Sequence, residues 1–430
     1  MNSSSTTQLR YWTDAQKNSL RFFLILFPMF MVLTYDGIIP YTDDLSNIYL
    51  QFFHKLIPWF AAHILHLAKP ITVFTNGSGD TTYDYLNVMF ITITALLGTS
   101  LWSLADRKSR NYDKMLYWLC VIVRYYIICT MISYGLVKII KLQFPSPSPY
   151  RLTEQFGDAS PMGLAWTYLG YSTGFNYFTG LAELSCGILL LFRSTATFGS
   201  LLTLTVTGNI MAINYCYDVP VKVMSTSLVL MSVFLVAMEA QRLVNFFFIN
   251  NAVEPSIKIV HRFNAPWKNT SLIIIKYLFV AYCITGSLIF DIQYARQYGD
   301  DAAKTPFYGI YDVQDFIRNR DTIAPLATDN TRWRRLIIDN NKTLMKMMND
   351  SSKRCLFVAD LKKHTIVISL LTDTVNKHLF HFTEAKNGDL LLKGKWGKDS
   401  LSVSMRKYNL NHFLLIRRGF HWINEYPYNR

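Results

Sequence analysis

The chain has 430 residues, of which 51% are hydrophobic and 17% are charged, and its formal net charge is +14. In a typical soluble globular protein about a quarter of the residues are charged, so this composition argues against an ordinary soluble enzyme. The positive charge alone would fit a nucleic-acid partner. The basic residues are instead concentrated in short stretches between apolar runs, and we expect no nucleic-acid binding.

Seven windows are apolar enough, and about long enough, to cross a bilayer. They are residues 20–40, 82–103, 115–141, 177–193, 196–216, 222–246 and 271–290. A further stretch, 52–68, contains three histidines and a lysine, and we interpret it as an interfacial or re-entrant helix. The histidines have no metal-ligand spacing, so we assign no metal site. The sequence predicts a multi-span helical membrane protein with the lipid bilayer as its first partner.

Charge distribution predicts the topology of these spans. Basic residues cluster at 10–21, 107–114 and 242–268, each next to a predicted span. The positive-inside rule then places the N-terminus in the cytoplasm. Seven crossings place the C-terminal region outside, so we expect an inner-membrane protein with a periplasmic C-terminal domain.

The composition changes from residue 291 onward. Apolar runs shorten to strand length and alternate, as in residues 365–370 and 400–405, and turn-like connectors such as 387–389 separate them. This pattern predicts an antiparallel β meander in a small barrel or sandwich. Residues 312–340 look mixed, and we expect one amphipathic helix leading into a strand there. Two domains follow: a helical transmembrane domain, 1–290, and a β domain, 291–430.

Polar side chains inside the spans mark the candidate site, since charged groups are costly in a bilayer unless they pair or line a polar cavity. The candidates are Arg124, Tyr134, Lys138, Glu183, Asn209 and Asp218. Lys138, Glu183, Asn209 and either Asp218 or Lys222 fall at one depth in the outer leaflet, and we expect a Lys138–Glu183 pair. The simpler alternatives are that Lys138 and Lys222 extend to the headgroups, that Glu183 forms a purely structural pair, and that Arg124 satisfies carbonyl groups between helices.

An external segment follows the third span. Prolines at 145, 147 and 149 favour an extended polyproline-like backbone, and residues 165–171 are rich in Trp and Tyr. This aromatic run is expected to lie at the membrane interface. It is either a lid over the polar cluster or a plain aromatic belt.

The residues around the candidate pair resemble the DoxX-like family of small four-helix membrane proteins. The matching features are Arg124, then Gly135 and Lys138 in YGLVKI, and the segment GLAELSCGILLLFR at 180–193. The resemblance covers about residues 115–250. It implies a four-helix-bundle core to which the other spans and the β domain are additions. More loosely, spans followed by a β domain are also similar to the membrane domain of vitamin-K-dependent carboxylase.

Three functions compete. The first is a DoxX-like accessory protein that binds a quinone or lipid-like ligand at the outer-leaflet pocket, while its β domain contacts a periplasmic protein or a membrane complex. The alternative is a quinone-linked oxidoreductase subunit of the thiosulfate:quinone type, as some family members imply. There Glu183 would relay a proton while Lys138 and Arg124 stabilise the reduced quinone anion. The chain lacks C-x-x-C, haem and flavin motifs, which argues against electron transfer. A transporter is disfavoured because no inverted repeat is visible. No residue is assigned a catalytic role, and quinone is the one cofactor named.

Overall fold

The computed structural model describes residues 12–34, 37–73, 79–253, 263–340 and 342–429. Parts of two basic clusters, at 10–11 and 254–262, therefore lie outside the described residues. The chain divides into two compact units. The first comprises Met1–Gln143 and Thr173–Ala295, and the second comprises Phe144–Ser172 and Arg296–Arg430.

The described α-helices follow one another along both units. In chain order they are α1 (Asp14–Leu33), α2 (Asp43–His63), α3 (Thr82–Ala105), α4 (Asp113–Ile139), α5 (Pro149–Thr153), α6 (Pro161–Tyr171), α7 (Thr173–Leu191), α8 (Ala196–Cys216), α9 (Lys222–Ala237), α10 (Ala240–Val244), α11 (Pro266–Tyr298) and α12 (Leu414–Arg417). A π-helical turn, Asn245–Ile249, extends α10. Two of the long helices begin at local caps: Thr13 for α1 and Thr81 for α3 each form a capping box with a residue three positions on.

Among the described residues, five helices are long and apolar enough to cross a membrane, which indicates a membrane protein. They are α3, α4, α7, α8 and α11. A sixth span results if α9 and the segment Ala240–Ile249 are taken together, although they meet at a 75° bend. The first sequence window corresponds to α1, which is not among the five, so the expected number of seven spans stays a prediction.

Helix α4 lies at the centre of the helical unit. Half of its apolar window is buried, compared with 11% for α3. It packs most extensively against α7 and also contacts α1 and α9. Its buried face is formed by branched aliphatic residues and small residues, among them Val123, Ile127 and Gly135. Helix α4 is therefore the most shielded of the five apolar helices in this unit.

The second unit contains a closed antiparallel β-barrel. Its strands are β1 (Gly309–Arg318), β2 (Asp321–Thr322), β3 (Trp333–Ile338), β4 (Thr343–Met347), β5 (Ser352–Asp360), β6 (Thr365–Leu370), β7 (Asp373–Glu384), β8 (Leu390–Trp396) and β9 (Asp399–Tyr408). Sequential strands pair as neighbours in a meander from β3 to β9, and β1 pairs with both β3 and β9. The β1–β9 pairing closes the sheet and removes its edges. The expectation of an antiparallel β domain is confirmed.

One sequence expectation in this region is wrong. The stretch 312–340 contains strands β1, β2 and β3 and no amphipathic helix. The cause is a β-bulge between Val313 and Asp315, where the register against β9 shifts by one residue. A bulge interrupts the two-residue alternation of a strand. The resulting spacing of three between Asp312, Asp315 and Arg318 imitates helical periodicity.

Residues 144–172, which the sequence analysis assigned to the helical domain, group with the barrel unit. The Lys346 Nζ donates to the Thr153 carbonyl oxygen at 3.0 Å, and Tyr150 packs against a buried cluster that includes Ile310 and Ile337. The proline-rich segment is anchored in the same unit, because the Ser146 hydroxyl donates to Asp300 at 2.7 Å.

Candidate functional site

The candidate site is built on a close crossing of α4 and α7. A Cβ atom added at Gly135 would lie 2.8 Å from the Gly180 carbonyl oxygen, and one added at Gly180 would lie 2.7 Å from the Gly135 carbonyl oxygen. Further along, Gly187 approaches Ile132 and the Ile128 carbonyl. Residue numbers fall along α4 as they rise along α7, so the helices are antiparallel. Small residues at such a crossing let backbones meet directly, as is common in membrane bundles.

Lys138 and Glu183 each lie three residues after a glycine of this crossing. Because the helices are antiparallel, the two residues lie on opposite sides of the crossing along the helix axes. The Lys138 Nζ donates to Glu183 Oε1 in an ion pair. Both side chains are buried, with exposed fractions of 8% and 2%. The second carboxylate oxygen, Glu183 Oε2, is buried and accepts no hydrogen bond from the described part of the chain. The structure therefore contains the expected pair and leaves one of its oxygens available to a donor.

Two of the other candidates are less buried than the ion pair. Tyr134 is half-buried on α4, and Asn209 is exposed on α8. The buried asparagine of α8 is Asn214. The α7 residue Asn176 is also buried, and the sequence analysis did not select it.

Asp218 and Lys222 form a separate cluster with Asp80. The Lys222 Nζ donates to Asp218 Oδ1 at 2.9 Å and lies 3.8 Å from Asp80 Oδ2. The Asp80 carboxylate also accepts the backbone N–H groups of Lys222 and Val223, at 2.7 and 2.9 Å. Asp80 thus caps the first turn of α9, where a negative charge is favourable. This arrangement is sufficient to explain Lys222 as a structural residue.

Arg124 belongs to a basic group in the N-terminal half of α4. It is half-buried and lies within electrostatic reach of Arg193 and Lys276. The Lys276 Nζ donates to the Leu191 carbonyl oxygen at 2.6 Å. Fourteen residues separate Arg124 from Lys138, which is about 21 Å along a helix. The two basic residues of α4 therefore serve different sites.

A second buried network, absent from the sequence analysis, is centred on Arg21 of α1. Its guanidinium donates to Ser103 Oγ at 2.8 Å, to the Asp106 carbonyl oxygen at 2.8 Å and to the Tyr112 hydroxyl. The Tyr112 hydroxyl in turn donates to Asp106 Oδ2 at 2.6 Å. This hydrogen bond, with those from Ser109 and the charge of Arg21, lowers the pKa of Asp106 from 3.8 to about 2. The network joins α1 to the α3–α4 connection.

Two buried thiols also meet in the helical unit. Cys129 of α4 and Cys283 of α11 have their sulfur atoms 3.8 Å apart. They are 154 positions apart in sequence, so no short sequence motif indicates this contact. The lack of a C-x-x-C pair had counted against redox chemistry, and this contact supplies a thiol pair by a different route. Among the described residues, no group of three His, Cys, Asp or Glu side chains is arranged to hold a metal ion.

Fold and site together define a helical membrane protein with a buried ion pair and a C-terminal antiparallel barrel. No protein-family model matches the chain, and no solved structure matches it. It is similar to the uncharacterized protein YwoB of Bacillus subtilis (strain 168), with 34% identity over 116 residues. The match covers 26% of this chain and 72% of YwoB. The chain belongs to the same family as YwoB.

Proposed function

We propose that this protein is a DoxX-like integral membrane protein that binds a quinone or lipid-like ligand beside Lys138 and Glu183. The observation that carries the proposal is the second carboxylate oxygen of Glu183, which is buried and accepts no hydrogen bond from the described residues. Leaving a buried acceptor unsatisfied costs about 1–3 kcal/mol, and more for a charged group. A ligand with a hydroxyl or amide donor would recover that free energy.

The chemistry of the pair fits an amphipathic ligand with an oxygen-bearing head. A carboxylate accepts hydrogen bonds, and an ammonium group donates them. A quinol hydroxyl or a lipid glycerol hydroxyl could donate to Glu183, while a neighbouring carbonyl oxygen could accept from Lys138. Ionisable residues inside membrane spans almost always face the protein interior, where they mark substrate, ion or proton pathways.

The topology proposed with this function has the N-terminus in the cytoplasm. The basic loop 107–114 then lies inside, as the positive-inside rule favours. Counting α1 and the bent α9 as spans gives seven crossings, with α4, α7, α8 and α9 as the four-helix core. The protein would be located in the inner membrane, and its barrel would face the periplasm, where it would contact a protein partner or a membrane complex.

The test is native mass spectrometry with quinone and lipid extraction on the detergent-purified full chain. Glu183→Gln is the test variant. Glu425→Gln is the matched control, because it makes the same change at an exposed position near the C-terminus. A quinone or lipid that co-purifies with wild type and with the control but is lost from folded Glu183→Gln supports the proposal. Equal ligand content in all three proteins refutes it.

The alternative is a quinone-linked oxidoreductase subunit, and the Cys129–Cys283 contact favours it. Two thiols can give two electrons and two protons to a quinone. The thiols then form one disulfide, and the quinone becomes a quinol. The pre-reduced protein would then convert about one quinone per chain, measured as a loss of quinone absorbance. Cys129→Ser would abolish the reaction. Quinone reduction that persists in Cys129→Ser, or its absence in wild type, excludes this role for the thiols.

A further inference from the structure

A cavity of about 610 Å³ opens on the helical unit between the α7–α8 connection and the segment Ala240–Ile249. This volume falls in the range of sites for small molecules and cofactors. Ten described residues line it. The charged ones among them are Arg193 and Arg242, so the cavity presents positive charge to a ligand.

The two arginines are positioned by neighbouring side chains. The Arg193 Nη2 donates to the Tyr117 hydroxyl at 3.0 Å, and the Arg242 guanidinium pairs with Glu239. A guanidinium carries five N–H donors in a planar fork, which matches an anion with several oxygen atoms. Two such groups on one cavity favour a phosphate above a single carboxylate.

The first turn of α8 adds to this preference. Ser194 and Thr197 line the cavity on either side of the helix start. The N-cap residue, Thr195, directs its hydroxyl to the Leu189 carbonyl oxygen at 2.7 Å and forms no cap bond to the first-turn N–H groups. The N-terminal end of a 21-residue helix therefore faces the same space with its positive dipole end.

The remaining wall is apolar and turns away from the bundle. Segment Ala240–Ile249 meets α9 at a 75° bend, so we place the end of the span that α9 begins along the membrane surface. Its Phe246 and Phe247 line the cavity and are 60% and 62% exposed. A ligand held here has a phosphate against the arginines and an apolar portion against the phenylalanines.

We propose that this cavity binds the headgroup phosphate of an anionic phospholipid, with Arg193 and Arg242 contacting the phosphate and Phe246 and Phe247 contacting the first methylene groups. A phospholipid has a phosphate that contacts the arginines and acyl methylene groups that contact the phenylalanines, whereas free phosphate contacts the arginines alone. The site is separate from the Lys138–Glu183 pair, so it does not depend on the function proposed above.

The experiment measures lipid retention by native mass spectrometry of the full chain in detergent, supplemented with phosphatidylglycerol or phosphatidylcholine of the same acyl chains. The test variant is R193Q/R242Q. The matched control is K108Q/R110Q, which also removes two positive charges, but from an exposed loop. Wild type and the control should retain phosphatidylglycerol over phosphatidylcholine by roughly tenfold or more, and the test variant should lose that preference.

Two results overturn the proposal. One is an equal lipid preference in R193Q/R242Q and K108Q/R110Q, which would make the effect general surface charge. The other is displacement of the lipid by millimolar inorganic phosphate, which would make the ligand a free anion. Thermal unfolding in the same detergent checks folding. If R193Q/R242Q does not fold, R193K/R242K replaces it: this variant keeps the charge and loses the planar fork, so a reduced preference supports the site and an unchanged one refutes it.

Discussion

Breaking the Lys138–Glu183 pair is the sharpest test of the helical unit. Glu183→Gln removes one charge and leaves the Lys138 ammonium in a site where 8% of its side chain is exposed. Removing one partner of a buried pair typically costs about 3–5 kcal/mol, because the remaining charge stays buried without that partner. At about 2–4 °C per kcal/mol for a unit of 150–250 residues, Tm should fall by roughly 6–20 °C.

The double variant Lys138→Met/Glu183→Gln separates pairing from packing. It removes both charges, and replacing a whole buried pair by neutral side chains is often close to neutral. We therefore expect the double variant to be more stable than either single variant. The coupling should exceed about 2 kcal/mol, at the upper end for residues in contact.

The assay is thermal unfolding followed by tryptophan fluorescence in one detergent, with the exposed pair Arg334–Asp350 as control. More than half of each of these side chains is exposed, so Arg334→Met and Asp350→Asn should each change stability by less than about 1 kcal/mol. If the two single effects at Lys138 and Glu183 simply add in the double variant, the groups do not form a pair and the reasoning is refuted.

Three further predictions follow from packing, pKa and proximity. Gly135→Val should destabilise the protein by about 1–3 kcal/mol through overpacking at the helix crossing, whereas Gly208→Ala, with no atom near the added Cβ, should be neutral or slightly stabilising; equal effects in thermal unfolding would contradict the crossing. The folded-state pKa of Asp106 lies below its ordinary value of 3.8, at about 2. The ionised carboxylate therefore stabilises the folded protein above pH 4, and this contribution is lost as pH falls from about 4 to 2. The Tm–pH curves of wild type and Asp106→Asn should converge in that range, and parallel curves would show that Asp106 does not stabilise the fold in this way. Mild oxidation should join Cys129 to Cys283, seen as a mass loss of two hydrogens and one disulfide-linked peptide; failure to form it would mean that the two sulfur atoms do not come together in solution.

The spans that sequence predicted best are those in which apolar runs are long and uninterrupted. Windows 82–103 and 196–216 agree with α3 and α8 to within two residues. The Lys138–Glu183 contact was also predictable, because neighbouring antiparallel spans place residues of matching depth at one level. Depth does not determine which way a residue faces, however. A helix turns by about 100° per residue, and so Asn209 is exposed on α8 whereas Asn214 is buried.

The thiol pair and the basic cavity could not be predicted from the sequence, because neither has a motif or a shared charge pattern that links its parts. The thiol pair joins residues 154 positions apart, and the basic cavity combines the end of α7 with a segment almost fifty residues later. In the barrel, alternation predicted β6 and β9, but the bulge in β1 moved the pattern out of phase. Local periodicity reports the conformation of a segment only where its neighbours impose no irregular pairing.

The geometry of the α4–α7 crossing explains why the candidate pair is incompletely satisfied. Gly135 and Gly180 bring the two backbones into direct contact, but a glycine has no side chain with which to donate a hydrogen bond. The helices can therefore approach closely enough for Lys138 to reach Glu183 Oε1, while Oε2 receives no donor from the described residues. A pair selected for stability alone would be expected to satisfy both oxygens, since each unsatisfied buried acceptor opposes folding. In the function proposed above this donor is a ligand, and the alternative donor is a water molecule. A ligand would be lost from folded Glu183→Gln, whereas a water molecule would leave the co-purified quinone and lipid unchanged.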